Sequence, residues 1–461
     1  MKNIHTKRYL ARVVIEAVTP LAVGSGIIDI ITDAPVARDV NGLPYLPGTS
    51  IAGIMRHAIG ENYAKAFFGF QETDSSGKGV GEGSKIIFTE GKMLNSKGFP
   101  IDGLQNINWV DGYFSKFKNL PIRQHVRIDY KGVAAHGAKF DEEVVYKGTR
   151  FCFEIEYVAE NNEDDANFLN VLKQLTSKAI RIGGGTRGGF GEVIIQEVKT
   201  RKIDFSKENE LNDYLEKSSS LSEIKFWKEA QLFNEKANDE GWLEYKLELE
   251  PEDFFLFSSG FGNENADITP VFEDYISWEN GTAEFKEKNV LIPGSSVKGA
   301  LAHRTAFYYN GKKGIYAENL TSNEWNKHIG KNNVAVQALF GSEGEKDNGK
   351  MKNQYRGNVI ISDIISQNNY ETKLLNHVAI DRFTGGAING MLFSEETVYG
   401  NHSKFELKVL VNKTVFKEDK ENKIKEAFES ALNDICTGML PLGGGVNRGN
   451  GIFIGKLIKP E

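Results

Sequence analysis

Cysteine is nearly absent. Of 461 residues only Cys152 and Cys436 are cysteine, far apart, neither in a CxxC pair nor beside a histidine. That excludes a thiolate zinc site, indicates no disulfide framework, and fits a reducing cytoplasm. The eight histidines form no HExxH or comparable ligand cluster, and no Ser-His-Asp arrangement stands out. No apolar run approaches the roughly 20 residues that a membrane helix needs. The segment MKNIHTKRYLARVVIEAV is basic but lacks a short apolar core with a small-residue cleavage site. It reads as a first strand rather than a signal peptide. A basic excess is missing too: 56 Lys and Arg stand against 63 Asp and Glu, a formal net charge of −7. A surface that grips nucleic acid everywhere usually carries a positive balance. Any nucleic acid must therefore be held in local basic grooves.

What is present is an ordinary globular composition, 40% hydrophobic and 26% charged, with length for two or three domains. Its most conspicuous stretch is IRIGGGTRGGFGEVII, Ile180 to Ile195. Gly183, Gly185 and Gly188 satisfy G-x-G-x-x-G, but a dinucleotide loop needs a strand before it and a helix after it. Here a helix-periodic segment precedes and a β-branched one follows, which excludes that reading. Gly344, Gly349 and Lys350 give G-x4-G-K, but Met351 stands where a P-loop needs Ser or Thr.

A second glycine loop, LPLGGGVNRGNGIFIGKLI, occurs at Leu440 to Ile458, also between a helical stretch and a strand. Arg187 and Arg448 fall in comparable places. YLPGTSIAGIMRHA answers VLIPGSSVKGALAHRTA, and HVRIDYKGVAAHG answers HVAIDRFTGGAING. The offsets grow steadily, from 246 (Pro47 to Pro293) through 252 (His125 to His377) to 260 (Gly183 to Gly443). Ordered matches with small drift mean a tandem duplication. Each copy reads strand, loop, PG-Ser helix, variable middle, second helix, glycine turn and final strand. This predicts an α+β chain of two ferredoxin-like units, residues 1–201 and 242–461, joined by a charged helix-prone connection at 202–241. Residues 72–85 and 340–358 read as mobile inserted loops at equivalent places.

PGTS and PGSS predict helix starts with hydroxyl N-caps from Thr49, Ser50, Ser295 and Ser296. Such a start is a ready phosphate site. Arg56, Lys298 and Arg304 are expected to project from the first turns, with His57 and His303 nearby. Capping with solvated charges accounts for one copy as well; recurrence weighs toward phosphate. Asp33 lies in a loop after the first strand, and Asp267 corresponds to it, one residue further from the following proline. An aspartate near a bound phosphodiester activates a 2′-hydroxyl or helps hold a divalent cation. A turn-forming role is the plain alternative, and Asp29 and Asp39 are neighbouring candidates.

Taken together, TDAPVARDVNGLPYLPGTSIAGIMR, IPGSSVKGALAHR, IDRFTGGAINGMLFSEETVY and both glycine loops resemble the RAMP (repeat-associated mysterious protein) superfamily of CRISPR systems. The resemblance is closest to the backbone subunits of type III effector complexes and covers most of the chain. It implies an RNA-recognition-motif-like core holding guide RNA, and β-hairpin thumbs at the IDYKGVAAHG and IDRFTGGAIN regions, with Asp129 and Asp381. It further implies metal-dependent cleavage of target RNA, with Mg²⁺ the expected cation, at Asp33 and, in the second copy, Asp267. The residues expected to bind RNA are Thr49, Ser50, Arg56, His57, Arg187, Ser295, Ser296, Lys298, Arg304, Arg382 and Arg448. Guide RNA, target RNA and other subunits of the complex are the implied partners, with no membrane. Two alternatives stay open: a non-catalytic scaffold subunit, and a guide-processing endoribonuclease relying on His57 or His303. The copies also differ. Ala52 stands where Lys298 does, and Tyr130 and Lys131 stand where Arg382 and Phe383 do.

Overall fold

The computed structural model describes residues 5–27, 32–73, 77–129, 131–159, 164–347, 350–366, 370–400 and 403–460. Asp29 and Tyr130, singled out above, lie outside them. The opening strand, Lys7–Ala17, is β-branched and apolar enough to be buried along most of its length. It is paired antiparallel on both sides, with Val193–Asp204 and with Arg150–Ala159. Ile86–Phe88 then adds to Arg150–Ala159.

The second half repeats this arrangement. Trp242–Pro251 lies between Phe453–Ile458 and Phe405–Asn412, and Val359–Ile361 adds to the latter. Across each sheet the order is closing, opening, post-thumb and short strand, all antiparallel, which is compatible with a ferredoxin-like unit. Helices Gly48–Ala58 and Asp164–Leu175 pack on the first sheet, burying Ile51, Met55, Phe168 and Leu172 against Val13 and Phe153. Gly294–Lys312 and Lys423–Cys436 do the same in the second, burying Val297, Leu301, Phe428 and Leu432 against Leu247 and Val409. Each such side chain contributes about 1.5–3 kcal/mol on burial, so the two cores are what hold the sheets flat against their helices.

Both thumb regions form hairpins: Ile122–Ile128 with Ala134–Glu143, and Glu371–Ile380 with Ala387–Tyr399. The carboxylates of Asp129 and Asp381 close the turns. Asp129 accepts the N–H groups of Lys131 and Val133, and Asp381 those of Phe383 and Thr384. Phe383 is 99% exposed.

The insertions are not loops. Phe70–Thr73 pairs with Gly79–Glu82, and Gly341–Asp347 with Lys350–Arg356, so each is an antiparallel hairpin; residues 74–76 and 348–349 lie outside the description. The connection is docked rather than free. Apart from the helix Glu208–Glu216 it is mostly irregular, and Trp227 Nε1 donates to Glu154 at 3.0 Å, beside the Arg12–Glu154 ion pair at 2.8 Å. Gln231–Leu232 extends the first sheet at its edge.

A hairpin of the second half, Phe272–Glu279 with Thr282–Ile292, clasps the first half. Ile276 and Ala283 enter the first core, and Phe285 packs among Tyr113, Phe117 and Tyr146.

Candidate functional site

The two aspartate loops have the same geometry. Ala34 bridges in parallel to Glu142, and Ile268 bridges in parallel to Glu395, each on the second strand of the adjacent thumb. Asp33 and Asp267 immediately precede these bridges, so they occupy one register position. Gly24 bridges Val36 and Ser258 bridges Pro270, which makes Thr269 the counterpart of Pro35. The extra residue noted in the sequence thus displaces the proline, not the aspartate.

Both aspartates are exposed. Asp33 N–H donates to the Asp141 carboxylate at 2.9 Å, and Asp141 N–H donates to Asp33 Oδ2 at 3.0 Å. In the second copy, Ser394 N–H and hydroxyl donate to Asp267 Oδ2 at 2.8 and 3.0 Å. These bonds, the main-chain one first, hold the Asp267 carboxyl below its ordinary value. Asp141 and Ser394 had no signal in the sequence, because only thumb register brings them to the loops.

Beneath each loop the thumb root repeats a further set. His125 stacks on Phe140 at 4.8 Å and lies 3.0 Å from Glu142, while His377 stacks on Phe393 at 4.8 Å and lies 3.0 Å from Glu395.

The PG-Ser helices correct two expectations. Pro47 and Pro293 occupy the N-cap positions, and neither helix has a side-chain cap. Thr49, Ser50, Ser295 and Ser296 therefore sit within the first turn, with Thr49 and Ser296 exposed. Glycine is required just after each proline: a Cβ at Gly48 would stand 2.4 Å from Phe88 O, and one at Gly294 2.9 Å from Ile361 O. Arg56 and His57 lie in the last turn of their helix, not the first. Arg56 donates to the carbonyls of Phe68 and Gly69 at the hairpin root, whereas His57 is exposed. Arg304 lies mid-helix and pairs with Asp434 at 2.5 Å, its guanidinium over Phe307 and Tyr308. Both arginines are engaged within the fold.

The glycine loops correct a third. Ile182 N–H donates to Gly191 O and Leu442 N–H to Gly451 O, so the offset is 260 throughout and Arg187 matches Asn447. Arg448 matches Gly188 instead, and reaches back to Glu395 at 2.5 Å. It braces the second thumb. Arg382 stands exposed beyond Asp381.

Arg187 behaves differently. Its loop lies against the start of the helix Gly294–Lys312: Gly189 bridges Ser362 in parallel, and a Cβ on Gly188 would touch Ser295 at 3.6 Å. Arg187 Nε donates to Gly357 O at 2.9 Å, and Arg356 donates to Thr186 at 2.8 Å. Burial, then the neighbouring Arg356 and Arg181, push Arg187 down to about 9. Lys298 is likewise lowered, by burial and then by Arg187. Arg187, Lys298 and Arg356 form a cluster of like charge at the positive end of a helix, with Arg181 beside them; among the described residues it is Arg181 that has an acidic partner, Glu192. Its members come from both halves. Arg356 was not anticipated, since it lies in what reads as a loop.

Mg²⁺ is typically held by one or two carboxylates, with substrate phosphates and water completing its shell. Asp33 and Asp141 offer two carboxylates side by side, and Asp267 with Ser394 offers one and a hydroxyl. Among the described residues no group of three or more His, Cys, Asp or Glu is disposed to hold a metal ion. The loops fit a cation shared with a bound phosphodiester rather than a caged resident one.

No curated protein matches the sequence. The family model of the RAMP superfamily matches twice, at residues 14–194 and again at 274–454, one match in each half. The chain belongs to the RAMP superfamily and carries two copies of its unit.

Proposed function

We propose that this chain is a guide-RNA-binding backbone subunit of a type III-like CRISPR ribonucleoprotein that cleaves guide-complementary RNA at Asp33 and Asp267. Membership of the RAMP superfamily points to a CRISPR-associated RNA-binding subunit with RNA and effector-complex partners. Among the described residues no helix is long and apolar enough to cross a membrane.

The observation that carries the cleavage reading is the repetition of one arrangement: an exposed aspartate, held in the same register against a thumb, in both copies. Each carboxylate is fixed by main-chain geometry, as a group must be to meet a reacting 2′-hydroxyl. In the proposed reaction the 2′-oxygen attacks the adjacent phosphorus and the 5′-oxygen leaves, giving a cyclic phosphate. Asp33 and Asp141, or Asp267 with Ser394, would hold a divalent cation against that phosphate and so offset its developing charge.

Guide binding rests on the cluster of Arg187, Lys298 and Arg356. Like charges held together with no carboxylate partner among the described residues are stabilised by an anion, and the helix dipole favours one at that end. Such a groove accommodates RNA despite the acidic net charge. The test is guide-RNA binding measured across a salt series. Affinity should fall steeply with salt, and Lys298→Ala or Arg187→Ala should each reduce the slope by about 1. A flat salt response contradicts the RNA reading. The scaffold alternative draws on the same loops, since carboxylates that accept main-chain N–H groups also serve as staples; cleavage by aspartate variants separates the two.

A further inference from the structure

Each thumb root repeats one arrangement around its histidine. On the second thumb strand the residue that meets the aspartate loop, Asp141 or Ser394, stands between an aromatic residue and a glutamate. These are Phe140 and Glu142 in the first copy, Phe393 and Glu395 in the second. Successive side chains of a strand point to opposite faces, so both flanking pairs lie on the face away from the aspartate. There each pair encloses one imidazole. His125 is the register partner of Phe140 and His377 of Phe393, with rings stacked at 4.8 Å in both copies. Nε2 of each histidine is buried 3.0 Å from the glutamate, off the line of a hydrogen bond.

The same glutamate anchors the aspartate loop through its main chain. Ala34 bridges Glu142, and Ile268 bridges Glu395. The next N–H along the strand, of Glu143 or Glu396, donates to the carbonyl of Ala34 or Ile268 at 3.0 and 2.9 Å. One imidazole therefore grips the residues on either side of the one that meets the aspartate. A stacked cross-strand pair fixes the local pleat, and with it whatever the neighbouring residue holds.

The copies differ in what else holds the glutamate. Gly191 and Gly451 occupy one position, so Phe190 corresponds to Asn450 and Gly188 to Arg448. Phe190 meets His125 edge-on at 5.9 Å and offers Glu142 no polar group. Asn450 and Arg448 both donate to Glu395, at 3.2 and 2.5 Å. Arg123, opposite Glu142 in the hairpin, binds Glu273 at 2.9 Å and Asp363 at 3.1 Å instead. Glu142 thus meets its basic partner in His125, whereas Glu395 keeps Arg448 even without His377.

We propose that His125 is a positioning residue for the Asp33 site. By clamping Phe140 and Glu142 it fixes Asp141 and, through the bridge at Glu142, the loop that carries Asp33. His377 acts in the same way on the Asp267 loop but shares that role with Arg448 and Asn450. The clamp itself needs no RNA; its consequence for cleavage rests on the reading of Asp33 and Asp267 proposed above.

Hydrogen exchange of the RNA-free full chain tests the clamp. His125→Ala should speed exchange at least about fivefold at residues 32–37 and 141–143, and leave residues 267–271 as they are. His377→Ala should change 267–271 by less than about twofold, but by at least about fivefold when combined with Arg448→Ala. His125→Phe, which keeps the stack and removes the basic group, should give an intermediate change at 32–37. The assembled complex then tests the consequence. In His125→Ala the product that Asp33→Ala removes should form about tenfold more slowly at limiting Mg²⁺. It should also need more Mg²⁺ for half its maximal rate, which a mere loss of folded protein would not cause. Guide binding and the other product should be unchanged. The proposal is overturned if 32–37 stays protected in His125→Ala, if exchange rises equally in both copies, or if His377→Ala alone loosens its loop as much. It is equally overturned if the Asp33-dependent product is indifferent to His125→Ala. If exchange responds as described but no product depends on Asp33, the clamp stands and the cleavage reading fails.

Discussion

Asp33 and Asp141 exchange hydrogen bonds across the boundary between the first aspartate loop and its thumb, each N–H donating to the other's carboxylate at 2.9 and 3.0 Å. Asp267 and Ser394 make the corresponding pair, with a hydroxyl in place of the second carboxylate. The thumb thus sets where each of these carboxylates stands.

One consequence concerns pH. The Asp267 carboxyl is held down by the Ser394 N–H and then by its hydroxyl, so it stays ionised into more acidic solution. Ser394→Ala removes the hydroxyl bond and leaves the main-chain one. The acid limb of the pH profile for the second-site product should move to higher pH, while that of the first-site product stays put. Product-resolved cleavage rates between pH 4 and 7 check this.

The junction between the halves hinges on Arg123, whose side chain is 7% exposed against 2% for Glu273 and 1% for Asp363. Arg123→Ala leaves two dry carboxylates without their cation, at a cost of about 3–5 kcal/mol. Urea unfolding should show that loss. Lys139→Ala, which gives up a cation–π contact with Phe261, should cost about 0.5–1 kcal/mol.

Asp363 also carries a pH signature. Burial pushes its carboxyl up to about 6 against the pull of Arg123, because Glu273 already takes the bidentate position on that guanidinium. Between the usual carboxylate value near 4 and about 6, the folded chain therefore holds a proton that the unfolded chain does not. This contribution to stability is present at the acid end and is lost as pH rises through 6. Asp363→Asn should flatten the change in urea midpoint between pH 5 and 7; an unchanged slope contradicts the assignment.

The duplication was legible because both copies need the same residues for the same backbone. Gly183 and Gly443 share a φ of +92°, and a Cβ there would stand 2.5 Å from Ala22 O and 2.4 Å from Leu256 O. Only glycine fits, so the motif survives in both copies. Asp33 and Asp267 were legible for the loop they share. The caps were misread because Thr49 and Ser296 look like hydroxyl caps until the close approach of strand to Gly48 and Gly294 is known. Arg448 was misaligned by one residue because a glycine-rich run gives no landmark. The junction of Arg123, Glu273 and Asp363 left no local trace, since each residue is an unremarkable charge until two hairpins and a strand converge. The cluster of Arg187, Lys298 and Arg356 was half legible: the first two were expected on phosphate, but separately.

The most direct measurement is cleavage of a labelled guide-complementary RNA by the assembled complex with Mg²⁺ and with EDTA, using wild type, Asp33→Ala, Asp267→Ala and the double variant. The account predicts that each single substitution removes one distinct product while guide binding persists, that the double variant removes both, and that EDTA does the same. A metal-dependent product pattern unchanged in the double variant would contradict it and leave the scaffold reading in its place.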